Sequence, residues 1–268
     1  FGGSALAIPY LRYDGFWTPL TSRTEAKGDW LPFLQYLDRI QSKLHAPLDL
    51  TRLQSFLSEQ AYFHSTIPMG QGLGSSAALV ASVYALFAEG PSSTMTQLQD
   101  LAVLESYFHG RSSGVDALVS YLGQPVLSAG DNTEVVEIPI QLRHSAYLWH
   151  TGTVRSTGPL VQWFREACAS TDFKQQMTKL AKVSQEALDA YRSGQPFLDL
   201  ARDIGQMQWQ YLRPLIPADE HPYWEDMLDD TSIAVKLCGA GGGGCVLIFS
   251  ESREIPARFP NLKIETVW

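Results

Sequence analysis

Pro68-Met-Gly-Gln-Gly-Leu-Gly-Ser-Ser-Ala-Ala78 decides how this chain of 268 residues is read. Gly70, Gly72 and Gly74 alternate, then run into Ser75, Ser76 and a helix-forming stretch from Ala77 to Phe87. Glycine lets backbone N–H groups turn inward and lets a ligand approach with no Cβ in the way. A helix starting just after such a loop leaves its first N–H groups unpaired and points its positive dipole end into the same space. That is an anion site, and the anion most often held this way is a phosphate. An ordinary loop before a helix is the plain alternative. The serine pair weighs against it, because a hydroxyl at a phosphate-binding helix start can also reach Mg²⁺.

Two common phosphate loops do not fit. A Walker A loop needs Lys and then Ser or Thr after its last glycine, whereas Gly74 is followed by Ser75 and the loop has no Lys. A dinucleotide loop follows the first strand, with an acidic residue about 20 positions on. Here the loop follows two predicted helices, and Asp100 falls inside another.

A second glycine cluster, Lys236-Leu-Cys-Gly-Ala-Gly-Gly-Gly-Gly-Cys245, lies between apolar β-branched runs (Ile233, Val235; Val246, Ile248). It reads as strand, glycine turn, strand. A tight hairpin with close backbone packing is the structural alternative, although a hairpin needs only one or two glycines. The third constellation is Glu105-Ser-Tyr-Phe-His-Gly-Arg-Ser-Ser-Gly-Val-Asp116. Residues 96–108 predict an amphipathic helix with a capping box from Thr96 and Gln99. Glu105 stands near its C-terminal end, where the dipole disfavours a carboxylate unless a cation offsets it. Gly110 ends that helix, and Gly114 permits a second sharp turn before Asp116. The two carboxylates could converge on a metal–phosphate site. Alternatively, Glu105 is a solvated helix residue and Asp116 an N-cap.

Together these segments resemble the GHMP kinase family, named for galacto-, homoserine, mevalonate and phosphomevalonate kinases. Pro68 to Ala78 is similar to the family's Pro-x-Gly-x-Gly-Leu-Gly-Ser-Ser-Ala loop, and Lys236 to Gly243 to its C-terminal glycine motif. His109-Gly-Arg-Ser-Ser-Gly-Val-Asp116 and Thr153-Val-Arg-Ser-Thr157 are similar to stretches of the mevalonate kinase branch. The resemblance implies an α+β, two-domain fold with a ribosomal S5 domain 2-like N-terminal domain (1–143) and a ferredoxin-like C-terminal domain (144–268). It implies ATP and Mg²⁺ as cofactors. Pro68, Gly70, Gly72, Leu73, Gly74, Ser75 and Ser76 would wrap the ATP phosphates, with Gly239, Ala240, Gly241 and Gly242 near the transferred group. Ser76 and Glu105 would hold Mg²⁺. Asp116 would take or position the acceptor's proton, and His109, Gly114, Arg155 and Thr157 would lie at the acceptor. The expected reaction is phosphorylation of a small-molecule hydroxyl, first of all mevalonate. The alternatives are another acceptor (phosphomevalonate or a sugar) or a non-catalytic nucleotide-binding relative.

The resemblance also marks two departures. The family opens on a strand and loop carrying a Lys and a Gly-Glu-His-like sequence. Phe1-Gly-Gly-Ser-Ala-Leu-Ala is similar to the segment just after it, so residues upstream of Phe1 are expected. Cys238 stands where Ser or Thr is common, and a thiol is the weaker donor.

Composition sets the outer bounds. A net charge of −8 argues against non-specific nucleic-acid binding. It leaves local cations such as Lys236 or Arg111 to offset the ATP charge. No apolar run reaches the ~20 residues of a membrane span. Three cysteines with no Cys-x-x-Cys spacing suggest a reducing, cytoplasmic setting without a disulfide or zinc framework. A homodimer is compatible with the resemblance. Periodicity predicts strands at 4–10, 16–20, 62–67, 125–127, 135–138 and 146–150. It predicts helices at 30–43 and 50–59, a mostly helical region from 159 to 212 broken at 194–196, and a last helix at 223–228. Strands mixed with long helices in both halves give α+β, with a boundary near residue 143.

Overall fold

The computed structural model describes residues 30–58, 73–90, 92–129, 132–136, 145–153, 157–239 and 241–267. The expected strands at 4–10, 16–20 and 62–67, and the expected boundary near 143, lie outside them. The chain divides into two compact units, the first of Phe1–Pro68 and Gly74–Glu137, the second of Met69–Leu73 and Ile138–Trp268.

The first unit contains α1 (Leu31–Ile40), α2 (Leu50–Ser58), α3 (Ser75–Phe87), α4 (Thr94–His109), α5 (Val115–Leu122) and a hairpin of β1 (Val126–Ala129) and β2 (Asn132–Val135). The centre of the unit is α3. Ala77, Ala78, Val80, Ala81, Val83, Tyr84 and Phe87 are all buried, so the helix is apolar on every side, the mark of an interior helix. Its alanines let α5 approach closely: Tyr121 packs on Ala78 and Ala81 and meets Tyr84 edge-on at 5.4 Å. Leu37, Leu53, Leu101, Leu104 and Leu118 close the core from the other helices.

A carboxylate lies fully inside this core. Asp100 accepts from the N–H groups of His45 (2.8 Å) and Ala46 (2.9 Å) and from the Tyr84 hydroxyl (3.0 Å), with His45 Nδ1 at 2.9 Å. The acid thereby ties the loop after α1 to α3 and α4. Burial, with Asp100 alongside, pushes the Tyr84 phenol up to about 12, against a smaller opposing effect from the Ser92 hydroxyl.

The expected capping box from Thr96 and Gln99 is displaced. The helix starts three residues earlier, with Ser93 as N-cap and Thr96 returning the bond. Both side chains are short hydroxyls, so the usual Glu or Gln signal is absent. Of the strand expected at 135–138, Val135 is the last residue of β2, which pairs with β1, and residues 137–138 lie outside the described residues.

The second unit is a four-stranded antiparallel sheet with helices. Its elements are β3 (Ser145–His150), α6 (Thr157–Ala167), α7 (Thr171–Arg192), α8 (Leu198–Tyr211), α9 (His221–Asp229), β4 (Ile233–Leu237), β5 (Cys245–Ser250), α10 (Ile255–Arg258) and β6 (Lys263–Thr266). The strand order is β4-β5-β3-β6. One sheet face buries Trp149, Val235, Val246 and Ile248 together with Trp224 and Met227. The other buries Ala146, Ala234 and Phe249 against Phe197, Leu198 and Ala201 of α8. The edge of β4 is covered as well: Leu237 N–H donates to the Gln208 side chain on α8 at 2.8 Å. Gly205 permits that approach, since a Cβ there would strike the Val235 carbonyl oxygen. Covering an edge strand in this way removes a template for unwanted pairing.

Just before α9, Glu220 is buried, and burial with Asp219 nearby pushes its carboxyl up to about 7 from 4.5. A raised folded-state value means the folded chain binds more protons than the unfolded chain between those limits. Stability therefore falls as pH rises through that window and is flat above it. Glu220→Gln should flatten this decline and gain stability relative to the native protein at about pH 8 but not at about pH 5. Urea midpoints at the two pH values measure this, and parallel pH profiles would remove the assignment.

Candidate active site

In the first unit, two helices begin in the same unusual way. Gly74 is the N-cap of α3 at φ +74° and Gly114 that of α5 at φ +76°, so neither N-cap residue supplies a capping side chain, and at α5 Val115 N–H donates to Ser113 Oγ at 3.4 Å. The left-handed conformation favours glycine at both positions. The first N–H groups of each helix, from Ser75, Ser76 and Ala77 and from Val115, Asp116 and Ala117, have no carbonyl partner within the helix. Their dipole ends are positive. The helices α3, α4 and α5 pack on one another, so Ser76, Glu105 and Asp116 are carried by three mutually packed elements.

Glu105 is only 5% exposed, which overturns the solvated alternative. A carboxylate taken out of water needs hydrogen-bond partners. The Ser112 hydroxyl donates to Glu105 Oε2 at 2.5 Å and accepts from Gly114 N–H at 3.0 Å. Ser112 N–H in turn donates to Ser106 Oγ at 3.2 Å. A chain of contacts thus runs from the Glu105 carboxylate to the start of α5. Ser112 was not among the expected site residues. Its signal was its place two residues before Gly114, where a hydroxyl can bond to the backbone of a turn.

Asp116 is exposed in the first turn of α5. It is not the N-cap of the alternative reading, because Gly114 takes that position. A carboxylate in a first turn is favoured by the dipole. Gly114 is fixed by packing: a Cβ would stand 2.5 Å from the Leu98 carbonyl oxygen and 2.8 Å from Ala102 N. Gly114→Ala should cost about 2–4 kcal/mol through this overlap and the left-handed backbone. A urea titration reads that loss, and an unchanged midpoint would contradict the packing.

The second unit carries the other glycine motif. Gly239, Gly241, Gly242, Gly243 and Gly244 all have positive φ. Three of them leave no room for a side chain: a Cβ on Gly241 would meet the Leu215 carbonyl oxygen, on Gly242 Leu160, and on Gly243 the Thr153 carbonyl oxygen. Gly242 N–H donates to Leu215 O (2.6 Å), and Gly244 N–H to Thr153 O (2.8 Å). The hairpin with close backbone packing is therefore real, and those two N–H groups are already engaged. Lys236 is turned to the Leu237 carbonyl at 3.0 Å.

Of the other expected site residues, Leu73 and Gly74 precede α3 and Ser75 is its first residue. His109 ends α4, and Thr157 begins α6. Pro68, Gly70, Gly72, Arg155 and Ala240 lie outside the described residues. Among the described residues, no group of three or more His, Cys, Asp or Glu side chains is placed to hold a metal ion. No helix among them is long and apolar enough to cross a membrane.

The family model described as GHMP kinases N terminal domain matches residues 35–124, the span holding α3, α4, α5 and Ser76, Glu105 and Asp116. That segment, a third of the chain, is similar to the N-terminal domain of GHMP kinases. Solved structures share the α+β fold. Mevalonate kinase from methicillin-resistant Staphylococcus aureus is 18% identical with a TM-score of 0.55, over 82% of this chain and 78% of that one. Streptococcus pneumoniae phosphomevalonate kinase in complex with phosphomevalonate and AMPPNP is 15% identical with a TM-score of 0.57, over 89% and 82%. Lactococcus lactis galactokinase complexed with galactose is 12% identical with a TM-score of 0.56, over 91% and 77%. At these identities the likeness is one of fold. A search of curated proteins by sequence finds no match.

Proposed function

We propose that this protein is a GHMP kinase, an ATP- and Mg²⁺-dependent small-molecule kinase acting on a hydroxyl group, with mevalonate as acceptor and 5-phosphomevalonate as product. The observation that carries the reading is the pair of left-handed glycine N-caps, Gly74 and Gly114, on helices that pack with the one bearing the buried Glu105. Phosphoryl transfer calls for positioning, charge neutralisation and a group that orients the nucleophile, and little else. Backbone N–H groups from Gly74 to Ser76 would bind the ATP phosphates. The Ser76 hydroxyl and the Glu105 carboxylate are hard oxygen donors and fit Mg²⁺, which takes few protein ligands and keeps several waters. Ser112 engages one Glu105 oxygen and so orients the other. Bound Mg²⁺ would neutralise charge on the phosphate oxygens. Asp116 would accept or hold the proton of the attacking hydroxyl.

Mevalonate is favoured over the acceptors of other branches by the similarity of His109 to Asp116 and of Thr153 to Thr157 to the mevalonate kinase stretches. We place the protein in the cytoplasm, in keeping with three cysteines that form no disulfide. ADP release from ATP and Mg²⁺, measured against mevalonate, phosphomevalonate and galactose, tests the substrate. Release driven by mevalonate alone supports the reading. Release with a different acceptor reassigns the substrate, and ATP binding without release under any acceptor supports a non-catalytic relative.

A further inference from the structure

The β4–β5 ladder opposes Ile233 to Ser250 and ends at Leu237 opposite Val246. One step beyond, that register opposes Cys238 to Cys245, the two residues that bracket the glycine loop at 239–244. Directly opposed residues of an antiparallel pair share a sheet face, with Cβ atoms about 4.5–5.5 Å apart. A disulfide uses about 3.5–4.5 Å, so a small closure at the neck of the loop brings the two sulfurs into bonding range. Neither cysteine is in a disulfide. Cys238 is partly exposed and Cys245 is buried. The buried sulfur has a partner of its own: Cys245 Sγ lies 3.5 Å from His150 Nδ1. His150 is itself buried, and its Nε2 lies 3.2 Å from Glu265 Oε2. A thiol bonded to an imidazole that a carboxylate orients is the arrangement that removes a thiol proton.

We propose that Cys238 and Cys245 form a thiol–disulfide exchange site at the neck of the glycine loop, with a small-molecule disulfide of the glutathione type as co-reactant. The accessible Cys238 thiolate attacks one sulfur of that disulfide and expels the first thiol, leaving a mixed disulfide. Cys245 passes its proton to His150 and attacks the Cys238 sulfur. The intramolecular bond forms and the second thiol leaves, taking up a proton. Two cysteine thiols are oxidised, one small disulfide is reduced to two thiols, and excess thiol reverses both steps. Cys238 lies within the glycine motif beside Gly239, but neither cysteine is assigned a phosphate or acceptor contact, and the exchange does not depend on the proposed reaction.

The test is incubation of the folded protein with oxidised glutathione, acid quench, denaturation, alkylation and tryptic digestion. One peptide, Leu237 to Arg253, holds both cysteines. It should be lighter by two hydrogens and take no alkyl group, whereas Cys168 remains as a reference thiol. Cys238→Ser should leave Cys245 fully alkylated, and Cys245→Ser should trap glutathione on Cys238. A native peptide carrying two alkyl groups, or retaining glutathione on Cys238, would overturn the proposal. Cys238 is the partly exposed position, so its serine variant keeps the test open if the buried Cys245→Ser chain fails to fold.

Discussion

Asp116→Asn should lower kcat by about 10²–10⁴-fold, the range for loss of a positioned acid–base group, while ATP binding is retained. The side chain is exposed in the first turn of α5 and lies outside the core. Asn keeps its shape and loses only the charge and the second acceptor. Removing a carboxylate from a helix start costs about 0.3–1 kcal/mol in dipole interaction, too little to unfold a domain whose stability is about 5–15 kcal/mol. A fall in turnover with an unchanged melting curve would therefore report on chemistry. Full turnover in the variant would remove Asp116 from the role of base, whatever the acceptor.

The largest effect on stability should come from Asp100→Ala. Asp100 is fully buried and holds three donors of the first unit: two backbone N–H groups and the Tyr84 hydroxyl. Deleting the carboxylate removes the acceptor of all three, two of them buried and the His45 N–H partly so. At about 1–3 kcal/mol for each stranded group, and with part of the loss recovered by relaxation, the variant should be destabilised by about 3–6 kcal/mol. Asp100→Asn should fall between, because one amide oxygen still serves the His45 side while the amide nitrogen faces a donor. Denaturant titration of the three proteins measures the series. Equal stability of the native and Ala forms would show that the network contributes nothing. The Tyr84 phenol gives a second reading through its raised value of about 12, which the loss of its charged neighbour should lower.

The legible parts of the sequence were those whose chemistry is local. Gly74 and Gly114 announced turns, and both occupy the left-handed region. The amphipathic or wholly apolar periods of α1, α2 and α3 marked helices, and Ile233 to Ile248 marked the hairpin around the second glycine cluster. What escaped notice depends on partners distant in sequence. Asp100 reads as a helix residue until His45 and Tyr84 are brought to it by the fold. Ser112 has no periodic signature, yet it anchors Glu105. The last strand, β6, was missed because Lys263 to Thr266 alternates weakly and is a strand only because β3 offers it an edge. The glycines at 241–243 read as a ligand loop, but each is also required by a neighbouring carbonyl or side chain in its own unit. Steric need and phosphate binding both select glycine, and sequence alone cannot separate them.

The most direct test of the kinase reading follows the phosphoryl group itself. The purified protein is mixed with ATP labelled in its γ-phosphate, Mg²⁺ and mevalonate, and the products are separated. The account predicts label on the mevalonate hydroxyl, dependent on Mg²⁺ and nearly absent in Asp116→Asn. Label that stays on ATP, or is released only as inorganic phosphate at the same rate with and without acceptor, would contradict it.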